Sequence, residues 1–164
     1  MTICYIGIGS NLGDRLDNIE KAISLLSKIE GVTVKRRSRI YETEPEGGPQ
    51  HQGDYFNLVL ELESGLSARE LLKALKSIEQ GLGRGYSKER WSAREIDLDI
   101  LLYSDSVIES DDLRIPHPLM HKRFFVLKPL SDLAPGARHP VLGLTVSDML
   151  EALKKNSRPA KTKL

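Results

Sequence analysis

The sequence predicts an α+β domain, on three observations. Apolar and polar residues alternate along Tyr55–Glu63 and again along Ile96–Tyr103, the period of a half-buried strand. Apolar residues recur at helical spacing in two other segments. The segments follow one another as strand, helix, strand, strand, helix, strand.

Taken in order, Ile3, Tyr5, Ile6 and Ile8 read as a buried first strand, ended by Gly9-Ser10-Asn11. Asp14 can cap the helix that follows, in which Leu16, Ile19, Ile23, Leu26 and Ile29 keep helical spacing until Gly31 stops it. Val32, Val34 and Arg39 to Tyr41 give a second strand. Glu42 to Asp54, with Pro45, Gly47, Gly48, Pro49 and Gly53, is a long irregular loop of the kind that often carries function. In the third strand, Phe56, Leu58, Leu60 and Leu62 share one face, and Tyr55, Asn57, Glu61 and Glu63 the other, where only Val59 is apolar. Ser67-Ala68-Arg69-Glu70 is a capping box, because the serine can accept from the amide three residues on while the glutamate reaches back. Leu71, Leu72, Leu75, Ile78 and Leu82 form that helix's buried stripe, and Gly81, Gly83 and Gly85 end it. In the fourth strand Ile96, Leu98 and Ile100 oppose Asp97 and Asp99. Short helices are expected near Phe124–Leu133 and Thr145–Leu153.

This order is the split βαβ arrangement of a ferredoxin-like βαββαβ core, an antiparallel sheet with both helices on one face, here with C-terminal additions. If the helices cover Phe56, Leu58, Ile96 and Leu98, then Tyr55, Asn57, Asp97 and Asp99 share an open face. An aromatic ring, an amide and two carboxylates would meet there.

Composition narrows the function classes. The 164 residues carry 24 Lys and Arg against 23 Asp and Glu, with 40% apolar residues, which suits one soluble domain spanning 1–153. Five basic and no acidic side chains fall in 154–164, read as a disordered basic tail. The remainder is therefore net acidic, which argues against a nucleic-acid binder. Cys4 alone permits neither an internal disulfide nor a CxxC site. No apolar run reaches the roughly 18 residues of a membrane span, and the start lacks a signal-peptide pattern, so a cytoplasmic location is expected.

Two segments carry candidate chemistry. Carboxylates at i and i+2 of a strand stand on one side about 7 Å apart, a spacing suited to hard cations bound with a polyphosphate. Asp97 and Asp99 have it. The segment 83–94 supplies Arg84, Lys88, Arg90 and Arg94 with Trp91, between glycines at 83 and 85, in the manner of a phosphate lid; guanidinium groups match phosphate oxygens two by two. Gly7-Ile8-Gly9-Ser10-Asn11-Leu12-Gly13 lacks a nucleotide-loop pattern and reads as a tight strand-to-helix turn. His51, His121 and His139 have no ligand spacing. His117 lies between Pro116 and Pro118, where a fixed backbone can aim its ring.

Gly9-Ser10-Asn11-Leu12-Gly13, Asp54-Tyr55-Phe56-Asn57, Arg90 through Asp99, Pro116-His117-Pro118 and Arg123-Phe124-Phe125-Val126-Leu127, in that order, resemble the 6-hydroxymethyl-7,8-dihydropterin pyrophosphokinases of folate biosynthesis. The resemblance runs from residue 2 to about 150. It implies attack of the pterin hydroxymethyl oxygen on the β-phosphorus of ATP, giving the pterin diphosphate and AMP. It implies two Mg2+ held with ATP by Asp97 and Asp99, and phosphate contacts from Arg84 and Arg94. It places Trp91 in the closing loop, and Glu79, Ile100, His117 and Arg123 beside the nucleotide. Tyr55 and Phe125 match the rings that sandwich the pterin, Asn57 the amide reading its polar edge, and Thr43 the pocket loop. A monomer is implied, with no nucleic-acid or membrane partner.

Departures from the family pattern fall at Ser92, usually glycine, at Tyr86, basic in some members, and at Asp112, where some have an arginine, with Arg114 two residues later as its candidate substitute. Two rival readings are weaker. An RNA-binding module needs a basic sheet face where this chain is acidic, and a non-catalytic sensor has no need of Asp97, Asp99 and Arg94 together.

Overall fold

The structure, a computed structural model, describes residues 1–46, 52–83, 95–155 and 161–163. Its centre is an antiparallel sheet built from β1 (Thr2–Ser10), β2 (Val32–Arg37), β3 (Ile40–Thr43), β4 (Tyr55–Ser64) and β5 (Asp97–Tyr103). Across the sheet the order is β5, β1, β4, with β2 and β3 following one another along the far side of β4. The expected second strand is thus split in two. Ser38 sits at the break, donating its amide to the Val59 carbonyl and accepting the Val59 amide on its hydroxyl, so β4 stays paired there. This is the ferredoxin-like order.

Helix α1 (Arg15–Ser27) starts at Asp14, whose carboxylate accepts the Asp17 amide at 3.0 Å. Helix α2 (Ala68–Gly81) starts with the capping box that Ser67 and Glu70 foretell. Both pack on one face. There Ile19, Leu26, Leu71 and Leu75 meet Ile6, Leu58, Leu60 and Leu98 in a single buried cluster.

The opposite face differs from expectation, because it is not open along its length. Helices α3 (Phe124–Leu133) and α4 (Val146–Lys154) cover one end of it, burying Val59, Leu101 and Leu102 against Val126, Leu127, Leu130 and Met149. Val59, the one apolar residue on the polar side of its strand, is thereby explained. Leu101 and Leu102 are both buried here because the β1–β5 register shifts between Tyr5 and Ile6, where a bulge turns consecutive side chains to the same face. The far end of α3 is pinned to β3 by the Tyr41 hydroxyl, which donates to the Asp132 carboxylate at 2.8 Å. What is left uncovered is a cleft at the other end.

Two elements have no counterpart in the expectation. A short hairpin, β6 (Ile108–Glu109) with β7 (Arg114–Ile115), leads into the Pro116–Pro118 segment. In the basic tail, β8 (Lys161–Lys163) pairs with β3. Asp112, in the hairpin, binds Arg69 of α2 at 2.8 Å rather than facing the cleft. Among the described residues no helix is long and apolar enough to cross a membrane.

Candidate active site

The cleft floor follows from strand register. Gly9 of β1 lies between Asn57 of β4 and Asp97 of β5, and Gly7 lies between Val59 and Asp99. Residues directly opposite on neighbouring strands share a face, so two rows of side chains cross the sheet with a glycine in the middle of each. At Gly9 an added Cβ would sit 3.1 Å from Asn57 Oδ1 and 3.2 Å from Tyr55 Cδ1. The missing side chain makes the room in which Tyr55 and Asn57 stand. At Gly7 the nearest atom would be Leu101 Cδ2 at 3.4 Å, an ordinary contact.

Above this floor lies a cavity of about 360 Å³. It gathers Asp97 and Asp99 from β5, Tyr55 and Asn57 from β4 and Thr43 from β3. His117, Arg123 and Phe125 close it from the α3 side. Eight residues named from sequence therefore meet in one place. Glu79 and Ile100 do not line it: Ile100 is buried in the helix-side core, as strand alternation demands. Arg84, Trp91 and Arg94, with the departures at Tyr86 and Ser92, lie outside the described residues. The ends of their segment do meet, since a Cβ on Gly83 would fall 2.6 Å from the Glu95 carboxylate. Gly83 and Glu95, the described residues on either side of 84–94, thus adjoin, and Glu95 is two residues before Asp97.

Several contacts fix these side chains in advance. Glu79, only 2% exposed, accepts the Leu98 amide at 2.7 Å and so holds the peptide between the two aspartates. Ser10 Oγ donates to the Glu95 carbonyl at 2.5 Å, bracing the same strand from β1. Asn57 Nδ2 donates to Thr43 Oγ1 at 2.5 Å, which orients the amide. Arg123, the residue before α3, pairs with Glu46 at 3.4 Å across the cavity and lies over the Phe125 ring at 5.3 Å. Sequence reasoning passed over Glu46 and read Gly7 and Gly9 as part of a turn, whereas both lie within strand β1. The signal for the glycines was present, because Ile6 and Ile8 alternate with them.

Asp97 and Asp99 suit magnesium as hard oxygen donors on one face. Among the described residues no set of three His, Cys, Asp or Glu side chains forms a metal-holding group. Mg2+ with a nucleotide is usually held by one or two carboxylates together with phosphate oxygens and water.

His117 is neutral at pH 7. Burial pushes its pKa down to about 4, helped by the Arg123 cation and opposed by Asp97. Its Nδ1 accepts the Leu119 amide at 3.2 Å, so the proton resides on Nε2 and the ring is a donor. The unfolded chain takes up a proton near pH 6.5 and the folded one only near 4, so stability is lost as pH falls between those values. About 3 kcal/mol is the ceiling for this residue at ~1.4 kcal/mol per unit. Thermal melts of metal-free protein from pH 7 to 4 are expected to fall less steeply for His117→Gln than for the unaltered chain.

Paired carboxylates, an arginine, a neutral imidazole and two aromatic rings thus share one cleft in a ferredoxin-like sheet. The family model for 7,8-dihydro-6-hydroxymethylpterin-pyrophosphokinase matches residues 5–135. The chain belongs to that family. It is 42% identical over 143 residues to the 2-amino-4-hydroxy-6-hydroxymethyldihydropteridine pyrophosphokinase of Aquifex aeolicus (strain VF5), covering 86% of each chain. It is also 42% identical over 151 residues to a folic acid synthesis protein of Schizosaccharomyces pombe, 92% of this chain but 20% of that one. Among solved structures, the HPPK-DHPS of Plasmodium falciparum with pterin and p-hydroxybenzoate superposes with a TM-score of 0.73 at 16% identity, over 98% of this chain and 46% of that one. That likeness speaks for the fold.

Proposed function

We propose that the cleft binds ATP and 6-hydroxymethyl-7,8-dihydropterin together, with two magnesium ions on Asp97 and Asp99, and passes the diphosphate group from one to the other. Family membership makes the chain a pyrophosphokinase of folate biosynthesis. The observation that carries the placement is the juxtaposition of Tyr55, Asn57 and Phe125 with Asp97 and Asp99 in one cavity.

In this reading the pterin lies between the Tyr55 and Phe125 rings, where a flat heterocycle gains dispersion on both faces, and Asn57 with Thr43 reads its polar edge. The metal ions, when bound, neutralise phosphate charge and hold the transferring group. His117 donates from Nε2 toward the nucleotide and Arg123 gives up Glu46 for its phosphates, with Arg84 and Arg94 as further phosphate partners and Trp91 on the nucleotide side. Glu79 acts by holding β5, and Ile100 by placing the backbone of that strand. The hydroxymethyl oxygen bonds to the β-phosphorus as the bridging bond to the α-phosphate breaks; AMP leaves with that electron pair, and the hydroxyl proton passes to solvent. Alignment of the attacking oxygen in a closed, cationic site supplies about 7 to 11 kcal/mol of the lowered barrier. The chain works as a monomer in the cytoplasm.

Incubation with ATP, Mg2+ and the hydroxymethylpterin, followed by separation of the nucleotides, tests the reading. AMP is expected in step with pterin diphosphate. ADP would mean ordinary phosphoryl transfer and refute it. Tyr55→Ala is expected to weaken pterin binding about 10- to 100-fold, since stacking on one ring contributes ~1–3 kcal/mol. Binding of an ATP analogue by that variant, followed by calorimetry, should be unchanged; a loss there instead would move Tyr55 to the nucleotide side.

A further inference from the structure

Beyond Gly9 and Ser10 of β1, the turn into α1 was given no role above, yet its Asn11 and the Arg15 that follows it reach across to the chain on either side of Tyr55. Asn11 Nδ2 donates to Gln52 Oε1 and to the Gly53 carbonyl, each at 3.1 Å. Arg15, the first residue of α1, donates from Nη1 to the Asp54 carbonyl at 2.8 Å. The same nitrogen pairs with Glu42 Oε2 at 3.0 Å. Its guanidinium carbon sits over the Phe56 ring, 3.8 Å from the centroid.

These contacts bracket one residue. Asp54 precedes Tyr55 and Phe56 follows it, on the opposite face of β4. Glu42 is the register partner of Phe56 on β3. One cation therefore fixes the carbonyl before Tyr55, the ring after it and the neighbouring strand. The pair is partly shielded, with Arg15 and Glu42 side chains 29% and 21% exposed, so screening weakens it less than an open surface pair. Arginine suits the place because a planar guanidinium can stack and donate at once, whereas an ammonium cannot do both well.

We infer that Arg15 is a positioning residue for pterin binding: from the helix side of the sheet it sets the backbone on which Tyr55 stands. The inference rests on the reading of Tyr55 as a pterin ring. Arg15 itself touches neither substrate, because it stacks on the face of β4 away from the cavity.

Full-length Arg15→Met keeps the apolar stem over Phe56 and removes the donors; Arg15→Lys keeps the charge and loses the planar guanidinium. Circular dichroism and melting confirm folding, and if Arg15→Met does not fold, Arg15→Lys is read in its place. The Kd of 6-hydroxymethyl-7,8-dihydropterin, taken with a non-hydrolysable ATP analogue and Mg2+ present, is expected to rise about tenfold in Arg15→Met and less in Arg15→Lys. Binding of the analogue alone, and kcat at saturating pterin, should be unchanged. In a Tyr55→Ala background Arg15→Met should cost nothing further, because the two act as one unit. An unaltered pterin Kd in a folded Arg15 variant, an equal loss of analogue binding, or full additivity with Tyr55→Ala would overturn the inference. If Tyr55→Ala alone leaves pterin binding intact, the assignment of Tyr55 falls and this inference with it. If Tyr55→Ala weakens pterin binding and the Arg15 variants do not, only the role of Arg15 falls.

Discussion

Asp97→Asn and Asp99→Asn are each expected to lower magnesium-dependent turnover by about a thousandfold or more, the loss of ~4 kcal/mol of charge stabilisation. Asparagine keeps the shape and removes the anion, so a metal-bound polyphosphate is no longer held. Both side chains face the cavity rather than the core, and melting temperatures should stay close to the unaltered value. Steady-state rates across a range of Mg2+ concentrations check this. Near-normal turnover in either variant would remove the metal assignment from that residue.

The second large effect is expected at Gly9. A valine there must place its Cβ 3.1 Å from Asn57 Oδ1 and 3.2 Å from Tyr55, with two further methyl groups beyond it. Contacts that tight force neighbours to move, and overpacking of this kind costs about 1–3 kcal/mol. The neighbours that must move are the proposed pterin contacts. Gly9→Val is therefore expected to weaken pterin binding about a hundredfold, and Gly9→Ala about tenfold, with binding of an ATP analogue less affected. Gly7→Ala is the internal comparison, because its methyl meets only the flexible Leu101 side chain at ordinary contact distance. Its pterin Kd should match the unaltered protein. Equal losses at both glycines would show that any added methyl on the floor is harmful, and that the specific encounter with Tyr55 and Asn57 is not the cause.

Much of this was legible before any coordinates. The alternation along Tyr55–Glu63 and Ile96–Tyr103 places Asn57 and Asp97 on one face, and the structure sets them on either side of Gly9. The caps at Asp14 and Ser67 mark their helices because a short oxygen-bearing side chain there satisfies amides that the helix leaves unpaired. Less legible was anything defined by what is absent or by a partner far along the chain. Gly9 looked like part of a turn, since a glycine signals freedom of the backbone as readily as room for a neighbour. That α3 and α4 fold back over the sheet was hidden because an apolar stripe tells that a helix is buried and not against what. Glu79 and Ile100, which the resemblance puts beside the nucleotide, lie against the Leu98 amide and in the helix-side core, contacts that a motif match does not reveal. Arg15 carries no signal of its own in the sequence, because its partners Glu42, Asp54 and Phe56 lie far along the chain.

The central claim is that the transferred phosphates and their metals sit on Asp97 and Asp99, beside a pterin stacked on Tyr55. Crystals grown with a non-hydrolysable ATP analogue, 6-hydroxymethyl-7,8-dihydropterin and Mn2+ in place of Mg2+ would locate the metals by anomalous scattering. The account predicts two peaks, each within coordination distance of an Asp97 or Asp99 oxygen and of the analogue's phosphates, with the pterin ring against Tyr55. Peaks away from both aspartates, or a pterin bound elsewhere, would contradict it.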